Sequence, residues 1–535
     1  MGASRTSLRS EAAPRTGEPA GSASLRQCLI ARPPGGRLRV GYVVGGLLAL
    51  VVALATVSVS GAGGAARLSE AIQAGDRQAV LRLLKQPAEV NAADPDGTTP
   101  LHWAVRADDL DLATRLIEAG AKVRVANRYG VSPLSLAALN GNARLVRLLL
   151  ANGADASQRV SRGQTVLMTA ARTGNPDVVA ALLDRGAIIN AQESQLGETA
   201  LMWAASENHA AVVKLLAGHG ADVNLRSNSI TFPKDRFGLE GVLTILPRGN
   251  WTALMYAARD GGPEAAAALL EAGSEINATD PDGTTPLVRA IWNSHYDTAK
   301  VLLERGADPN LADTADMAAL YAAVDMSSLG EVYGSPPRKV KDRSTALDII
   351  KLVIAKGGKV DAKLKTAALQ RNHTPGEPLL GAGTTPLMRA ARNGDYEAMR
   401  VLIAAGADAS LAQPNGTTVL MLASGVGRGL GVFAKDYGTE ADLLEGVKTV
   451  LAQKVNVNAA NNNGLTALHY AAQGGLTSVA AELAKAGATL DAKDKQNRTP
   501  VDVALGVGGR GRAGGPPPIH TATAELLKKL LAERQ

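Results

Sequence analysis

The chain has 535 residues, of which 46% are hydrophobic and only 3% aromatic, so Leu, Ala and Val must fill any core it builds. The formal net charge of +7 sits mostly at the N-terminus: residues 1–66 hold seven Arg against two Glu, and the remainder, with 50 basic and 48 acidic residues, is nearly neutral. That balance speaks against general nucleic-acid binding by the body, and the single cysteine, Cys28, lies upstream of every periodic segment, which leaves the body without disulfides or thiol chemistry.

Residues 1–39 are rich in Arg, Ser, Pro, Gly and Ala without apolar periodicity, and they read as a disordered basic region. No charge occurs from Val40 to Ala66. The run VGYVVGGLLALVVALATVSVS (40–60) follows Arg37 and Arg39 and reads as a signal peptide or a transmembrane signal anchor, cytoplasmic end first. At about 20 residues it spans a bilayer with little margin. Ser60 and Ala62 suit a signal-peptidase site, while the long preamble suits an uncleaved anchor; both outcomes stay open. A linker of small residues (61–66) leads into the body, 67–535.

The body opens with RLSEAIQAGDRQAVLRLLKQ (67–86), two helices of an N-terminal capping unit spanning 67–91. A nonapeptide then appears that organises everything downstream. Residues 96–104 read DGTTPLHWA, and residues 282–290 read DGTTPLVRA. Variants recur at Thr99, Ser132, Thr165, Thr199, Thr252, Thr285, Ala318, Thr385, Thr418, Thr466 and Thr499, most of them 33 residues apart. Two residues before each of these stands Gly, or Asn250, Asp316 or Asn497, the residue types that tolerate positive φ at least cost. The spacing predicts a left-handed turn there. The Thr then caps a short helix, and a Pro such as Pro100 fits its first position. Leu101 and Ala104 fall on the buried face of that helix. A longer second helix follows and ends at a Gly 21 residues after the Thr, as at Gly120 and Gly153.

A 33-residue period carrying T-P-L-H-x-A is a signature of stacked helix pairs. On these residues the sequence resembles the ankyrin repeat family over nearly all of 67–535. The resemblance implies an all-α fold: an ankyrin-repeat solenoid of about twelve helix-turn-helix units with finger loops, preceded by the signal-peptide or signal-anchor segment. It also implies that His102 and His469 tie neighbouring turns by hydrogen bonds, and that partners bind at finger tips and at the ends of the first helices. Where Met168, Met202, Met255, Met388 or Met421 replaces the His, apolar packing is expected instead.

The period breaks five times. Insertions at about 226–249 and 363–382 fall in finger loops, and those at 327–344, 425–440 and 506–518 fall between the two helices of every second unit. The last three are rich in Gly, Pro and basic residues. Their GVGRG (425–429) and GVGGRGR (506–512) runs lack the strand and the Lys-Ser/Thr ending of a phosphate loop, and read as flexible excursions. The other reading is an anion-binding edge built with Arg338, Lys339, Lys341, Arg343, Arg428, Arg510 and Arg512. A polar closing helix, 521–535, ends the chain.

No HExxH, paired Cys or dense carboxylate cluster occurs, so no catalytic, metal or cofactor site is expected. The candidate partner-binding residues are Arg106, Arg172, Arg259 and Arg392, seven positions after a helix-starting Thr, with Trp292 in the same register. Arg128, Tyr129, Arg162 and Trp251 join them on the fingers. Arg and Trp dominate binding energy in interfaces, although an Arg at a helix end also suits the dipole. Trp103 and Trp203 are assigned to packing between repeats. The expectation is a non-catalytic protein-binding scaffold, periplasmic or anchored to the inner membrane with its repeats outside the cytoplasm. Its partner is a protein, with membrane contact through 40–60 if that segment is uncleaved, and neither nucleic acid nor small-molecule substrate is expected. The alternatives are an accessory or inhibitory partner of an envelope enzyme, for which the insertions would serve as specificity loops, and a secreted effector that binds a host protein.

Overall fold

Eight Gly and three Asn or Asp residues in the expected turn position all adopt positive φ, from Gly97 at 85° to Asn250 at 56°. At Gly97 a side chain would also collide with the next finger, since a Cβ there would lie 3.2 Å from Asn127 Cα. Two residues later the Thr sits in extended conformation and starts the helix. Thr165 and Thr285, for instance, accept from the third helical N–H at 3.2 and 3.3 Å, which satisfies one of the donors a helix start leaves open.

The computed structural model describes residues 67–229, 249–327, 342–367, 379–427, 438–509 and 517–534, all of which belong to one compact unit. Regions 1–39, 40–60 and 61–66 lie outside the described residues, as do the central parts of all five insertions. Among the described residues no helix is long and apolar enough to cross a membrane.

Among the described residues twelve helix pairs follow one another. The capping unit has α1 (Leu68–Ala74), α2 (Arg77–Leu83) and the single turn α3 (Pro87–Val90). Units two to five pair α4 (Pro100–Arg106) with α5 (Leu110–Glu118), α6 (Pro133–Asn140) with α7 (Ala143–Ala151), α8 (Val166–Thr173) with α9 (Pro176–Leu183), and α10 (Ala200–Ser206) with α11 (Ala210–Gly218). Units six to nine pair α12 (Ala253–Asp260) with α13 (Pro263–Glu271), α14 (Pro286–Trp292) with α15 (Tyr296–Glu304), α16 (Ala319–Ser327) with α17 (Ala346–Ala355), and α18 (Pro386–Asn393) with α19 (Tyr396–Ala404). The last three pair α20 (Val419–Ala423) with α21 (Glu440–Leu451), α22 (Ala467–Gln473) with α23 (Thr477–Lys485), and α24 (Pro500–Ala504) with α25 (Thr521–Arg534).

First helices pack on the first helices of the next unit along the whole series, and second helices on second helices from unit two onward. One core therefore runs between the two rows: Leu101, Ala104 and Leu116 are fully buried, and so are their counterparts Leu134, Ala137 and Leu149 one unit on. Each such Leu contributes about 1.5–3 kcal/mol by leaving water. The fingers are laced by backbone bonds, Arg128 N–H to Asp96 O at 2.9 Å and Thr314 N–H to Asp282 O at 3.0 Å, and the lacing continues across the second finger insertion, Lys365 N–H to Ala315 O at 2.9 Å.

The motif histidines do what the resemblance implied. His102 Nδ1 accepts from Thr99 N–H at 3.1 Å, and its Nε2–H donates to Val131 O of the following unit at 3.1 Å. His469 repeats both bonds, to Thr466 and Arg498. Burial holds both imidazoles below their ordinary value, in keeping with a neutral ring that accepts at one nitrogen and donates at the other. Where Met168 replaces the His, its sulfur still faces Thr165 N–H at 3.3 Å, and the link to the next unit is lost.

Candidate protein-binding face

The face formed by the first helices and the fingers is built by a rule with two positions. Five residues before the helix-starting Thr, seven units carry Asp94, Asn127, Asp280, Asp313, Gln413, Asn461 or Asp494. In five of them one oxygen closes the finger turn: Asp280 Oδ1 accepts from the N–H groups of Asp282 and Thr284 at 3.0 and 2.9 Å, and Asn127, Asp313, Asn461 and Asp494 each accept from the two matching N–H groups of their own turns. In three units the other polar atom meets a polar residue four positions after the Thr. Trp103 Nε1–H donates to Asp94 at 2.8 Å, the Arg289 guanidinium donates to Asp280, and Asn461 Nδ2–H donates to Tyr470 at 2.9 Å. In unit five Glu198 serves as the acceptor, for Trp203 Nε1–H at 2.8 Å. In units two and five the acids Asp94 and Glu198 are thus occupied by neutral tryptophan donors.

Three of the arginines seven positions after the Thr, Arg106, Arg172 and Arg259, lie over aromatic rings. The Arg106 guanidinium lies 5.4 Å from the centre of the Trp103 ring, and Arg172 lies 5.7 Å from Trp203, with Glu207 at a long 4.0 Å. On the fingers Arg128 lies 4.8 Å from the Tyr129 ring. It also helps the Thr98 N–H and hydroxyl to hold the neighbouring Asp96 carboxyl below the usual range against the opposing effect of burial. Arg162, at φ 63°, reaches Gln195 at 3.4 Å. Arg106, Arg128, Tyr129, Arg162 and Arg172 are all exposed, as are Leu139 and Leu196 beside them. Over units two to five this face is open, basic and partly apolar.

It closes further along the chain. Every residue of α14, α18 and α20 is buried, as is Ala319–Met326 of α16, so these helices are enclosed on all sides. Two buried ion pairs stand where the open units have half-buried or exposed side chains: Arg289 with Asp280, and Arg389 with Asp325 at 2.6 Å. Burial pulls the Arg289 guanidinium down to about 10, with Asp280 opposing.

Three expected surface residues are corrected by this closure. Trp251 is 6% exposed, held between Arg289 at 4.0 Å and Arg259 at 5.3 Å and edge-on to Tyr256 at 5.4 Å. Trp292 is 2% exposed in the enclosed helix α14. Arg392 is also 2% exposed, and Gly427 approaches it so closely that a Cβ there would lie 3.0 Å from its Nη2. Arg259 is half-buried and bound to Asp260 at 2.6 Å. Period alone placed these residues in register with Arg106; burial depends on what covers each unit. Trp103 and Trp203 are the converse case. Assigned to packing, they are half-buried, Trp203 against the core, and they also act as platforms for Arg106 and Arg172. The signal was present as an acceptor before the Thr and an aromatic donor after it within one unit. Of the seven residues suggested for an anion-binding edge, Arg343 alone is described; its N–H donates to Asp297 at 2.9 Å, while Arg338, Lys339, Lys341, Arg428, Arg510 and Arg512 lie outside the described residues. Among the described residues no cluster of His, Cys, Asp and Glu could hold a metal ion.

The family profile for ankyrin repeats (three copies) matches residues 68–160, 134–227, 238–313, 343–430 and 437–510, well over half of the chain. The chain belongs to the ankyrin repeat family. As such it has the fold of a protein–protein interaction scaffold. Its ankyrin repeats are 32% identical to Protein lin-12 of Caenorhabditis elegans over 25% of this chain and 11% of that one. They are 40% identical to Ankyrin repeat-containing protein P1E11.10 of Schizosaccharomyces pombe over 11% of this chain and 29% of the other. The chain thus spans only a small part of the curated relatives it matches. Among solved structures, the human ASB11 ankyrin repeat domain is 26% identical, with 45% of this chain and 98% of that one covered at a TM-score of 0.37.

Proposed function

We propose that this ankyrin-repeat body is a non-catalytic scaffold that binds a protein partner on the first-helix and finger face of units two to five, outside the cytoplasm. The observation that carries the site is the contrast along one face. Arg106, Arg128, Tyr129, Arg162 and Arg172 are exposed over units two to five, whereas α14, α18 and α20 are buried at every residue. A partner gains affinity by covering large side chains held in place beforehand, and Arg stacked on a ring is so held.

The location rests on the uncharged apolar run 40–60 behind Arg37 and Arg39, which suits a periplasmic protein or one anchored in the inner membrane. Two experiments test the reading. A photo-crosslinking residue placed at Leu139, on the open face, should capture a protein in the native envelope fraction, whereas one at Arg147, on the second-helix row, should not. A fusion of residues 1–70 to a phosphatase active only outside the cytoplasm should give activity. A crosslink only at Arg147 would move the site, and an inactive cytosolic fusion would end the claim of export.

A further inference from the structure

We infer that the partner segment received by units two to five is an acidic peptide stretch whose carboxylates fall about six residues apart around a large apolar side chain. The inference rests on the binding reading above and adds the chemistry of what is bound.

The first ground is the state of the arginines. Arg106 lies over Trp103 and Arg128 over Tyr129, and neither forms an ion pair with a described carboxylate. Two acids that could have neutralised this face are spent elsewhere: Asp94 accepts from Trp103 and Ser69, and Glu198 accepts from Trp203, which leaves Asp96 beside Arg128 and Glu207 at a long 4.0 Å from Arg172. A guanidinium held over a ring retains N–H donors in the fork geometry that matches a carboxylate, although Arg128 gives one of its donors to the Tyr129 hydroxyl.

The second ground is spacing. Position seven reads Arg106, Leu139, Arg172 and Ser206 over four consecutive units, so the two arginines alternate with an exposed leucine. First helices of neighbouring units pack directly, at roughly 8–10 Å between axes. Arg106 and Arg172 are therefore about 16–20 Å apart, which an extended peptide at roughly 3.3 Å per residue covers in five or six residues. Leu139 lies midway and asks for an apolar side chain there. Tyr129 and Arg128, on the finger between the same units, widen the site on one side.

The two tryptophans argue for a peptide over a nucleic acid, and the exposed Tyr129 ring carries Arg128 over one face. Trp103 and Trp203 are half-buried beneath their arginines and offer no open face on which a base could stack.

The test uses the full chain and a fluorescein-labelled synthetic peptide with Glu pairs six residues apart flanking a central Leu. Anisotropy should show binding that weakens as salt is raised. Arg106→Glu combined with Arg172→Glu should reduce affinity by about tenfold or more, the size of losing interface arginines. Both side chains are exposed, and circular dichroism should confirm an unchanged fold. The matching peptide with Lys in place of Glu should bind this variant better than it binds the parent. Equal binding of a Gln-substituted peptide, or equal binding by the double variant, overturns the inference. Sequencing the peptide crosslinked at Leu139 separates the two readings. An acidic segment supports both; a segment without acidic residues refutes the inference and leaves the scaffold standing; and a crosslink at Arg147 alone removes both.

Discussion

Replacing Asp280 by Asn should be among the most damaging single-atom-scale changes in this protein, and a second substitution should repair it. Asp280 and Arg289 are each buried, with side chains 1% and 3% exposed, and they form an ion pair at the junction of units six and seven. The amide introduced by Asp280→Asn could still accept from the Asp282 and Thr284 N–H groups through its remaining oxygen, so the finger turn survives. What is lost is the countercharge of a guanidinium that is already pulled down to about 10 by burial. Leaving such a charge unpaired costs about 3–5 kcal/mol. Arg289→Leu alone should cost less, because Asp280 keeps its two backbone donors. The pair Asp280→Asn with Arg289→Leu recreates an arrangement the chain already uses, since unit three has Asn127 and Leu136 at these two positions. The double variant should therefore lie within about 1–2 kcal/mol of the parent, giving a coupling of about 2–4 kcal/mol in the cycle. Repeat arrays need not unfold in one step, so the readout is hydrogen exchange of amides 280–292 together with urea unfolding. If Asp280→Asn cost under about 0.5 kcal/mol, or if the two substitutions simply added, the ion pair would not be what holds this junction.

Gly97→Val should destabilise locally by about 1–3 kcal/mol, because φ is 85° and a Cβ there meets Asn127; Asn250→Gly, at φ 56°, should be neutral or slightly stabilising. Urea melts of the two variants check both signs. His102 and His469 have folded values below the unfolded 6.5, so the folded state binds fewer protons, and the stability they confer is present above pH 6.5 and lost as pH falls from there through the folded values. The melting temperature should drop between about pH 7.5 and pH 5 by more in the parent than in His102→Met with His469→Met, which copies the native Met168. Arg392→Ala should destabilise units nine and ten without being a surface change, since the side chain is 2% exposed; Arg106→Ala, being exposed, should leave stability within about 0.5 kcal/mol. Differential scanning of the two separates core from surface.

The repeat, its turns and its caps were legible in the residues because they are local. Positive φ, an N-terminal cap and a stop at the end of a second helix each depend on a few neighbours along the chain, and Gly97, Thr165 and Gly120 act alone in those roles. The two histidine ties were legible through the family resemblance, since each bond reaches an equivalent position one unit on. Exposure was not legible. Arg106 and Arg392 occupy the same position of the same motif, yet one is exposed and the other buried. Periodicity states which way a side chain points; only the tertiary structure decides what stands in front of it. The same limit hid the Arg289–Asp280 and Arg389–Asp325 pairs, the second of which joins residues 64 positions apart on two different units. A charge is buried only where surrounding chain excludes water and a partner meets it; Asp280 meets Arg289 nine residues along, but what excludes the water is not local.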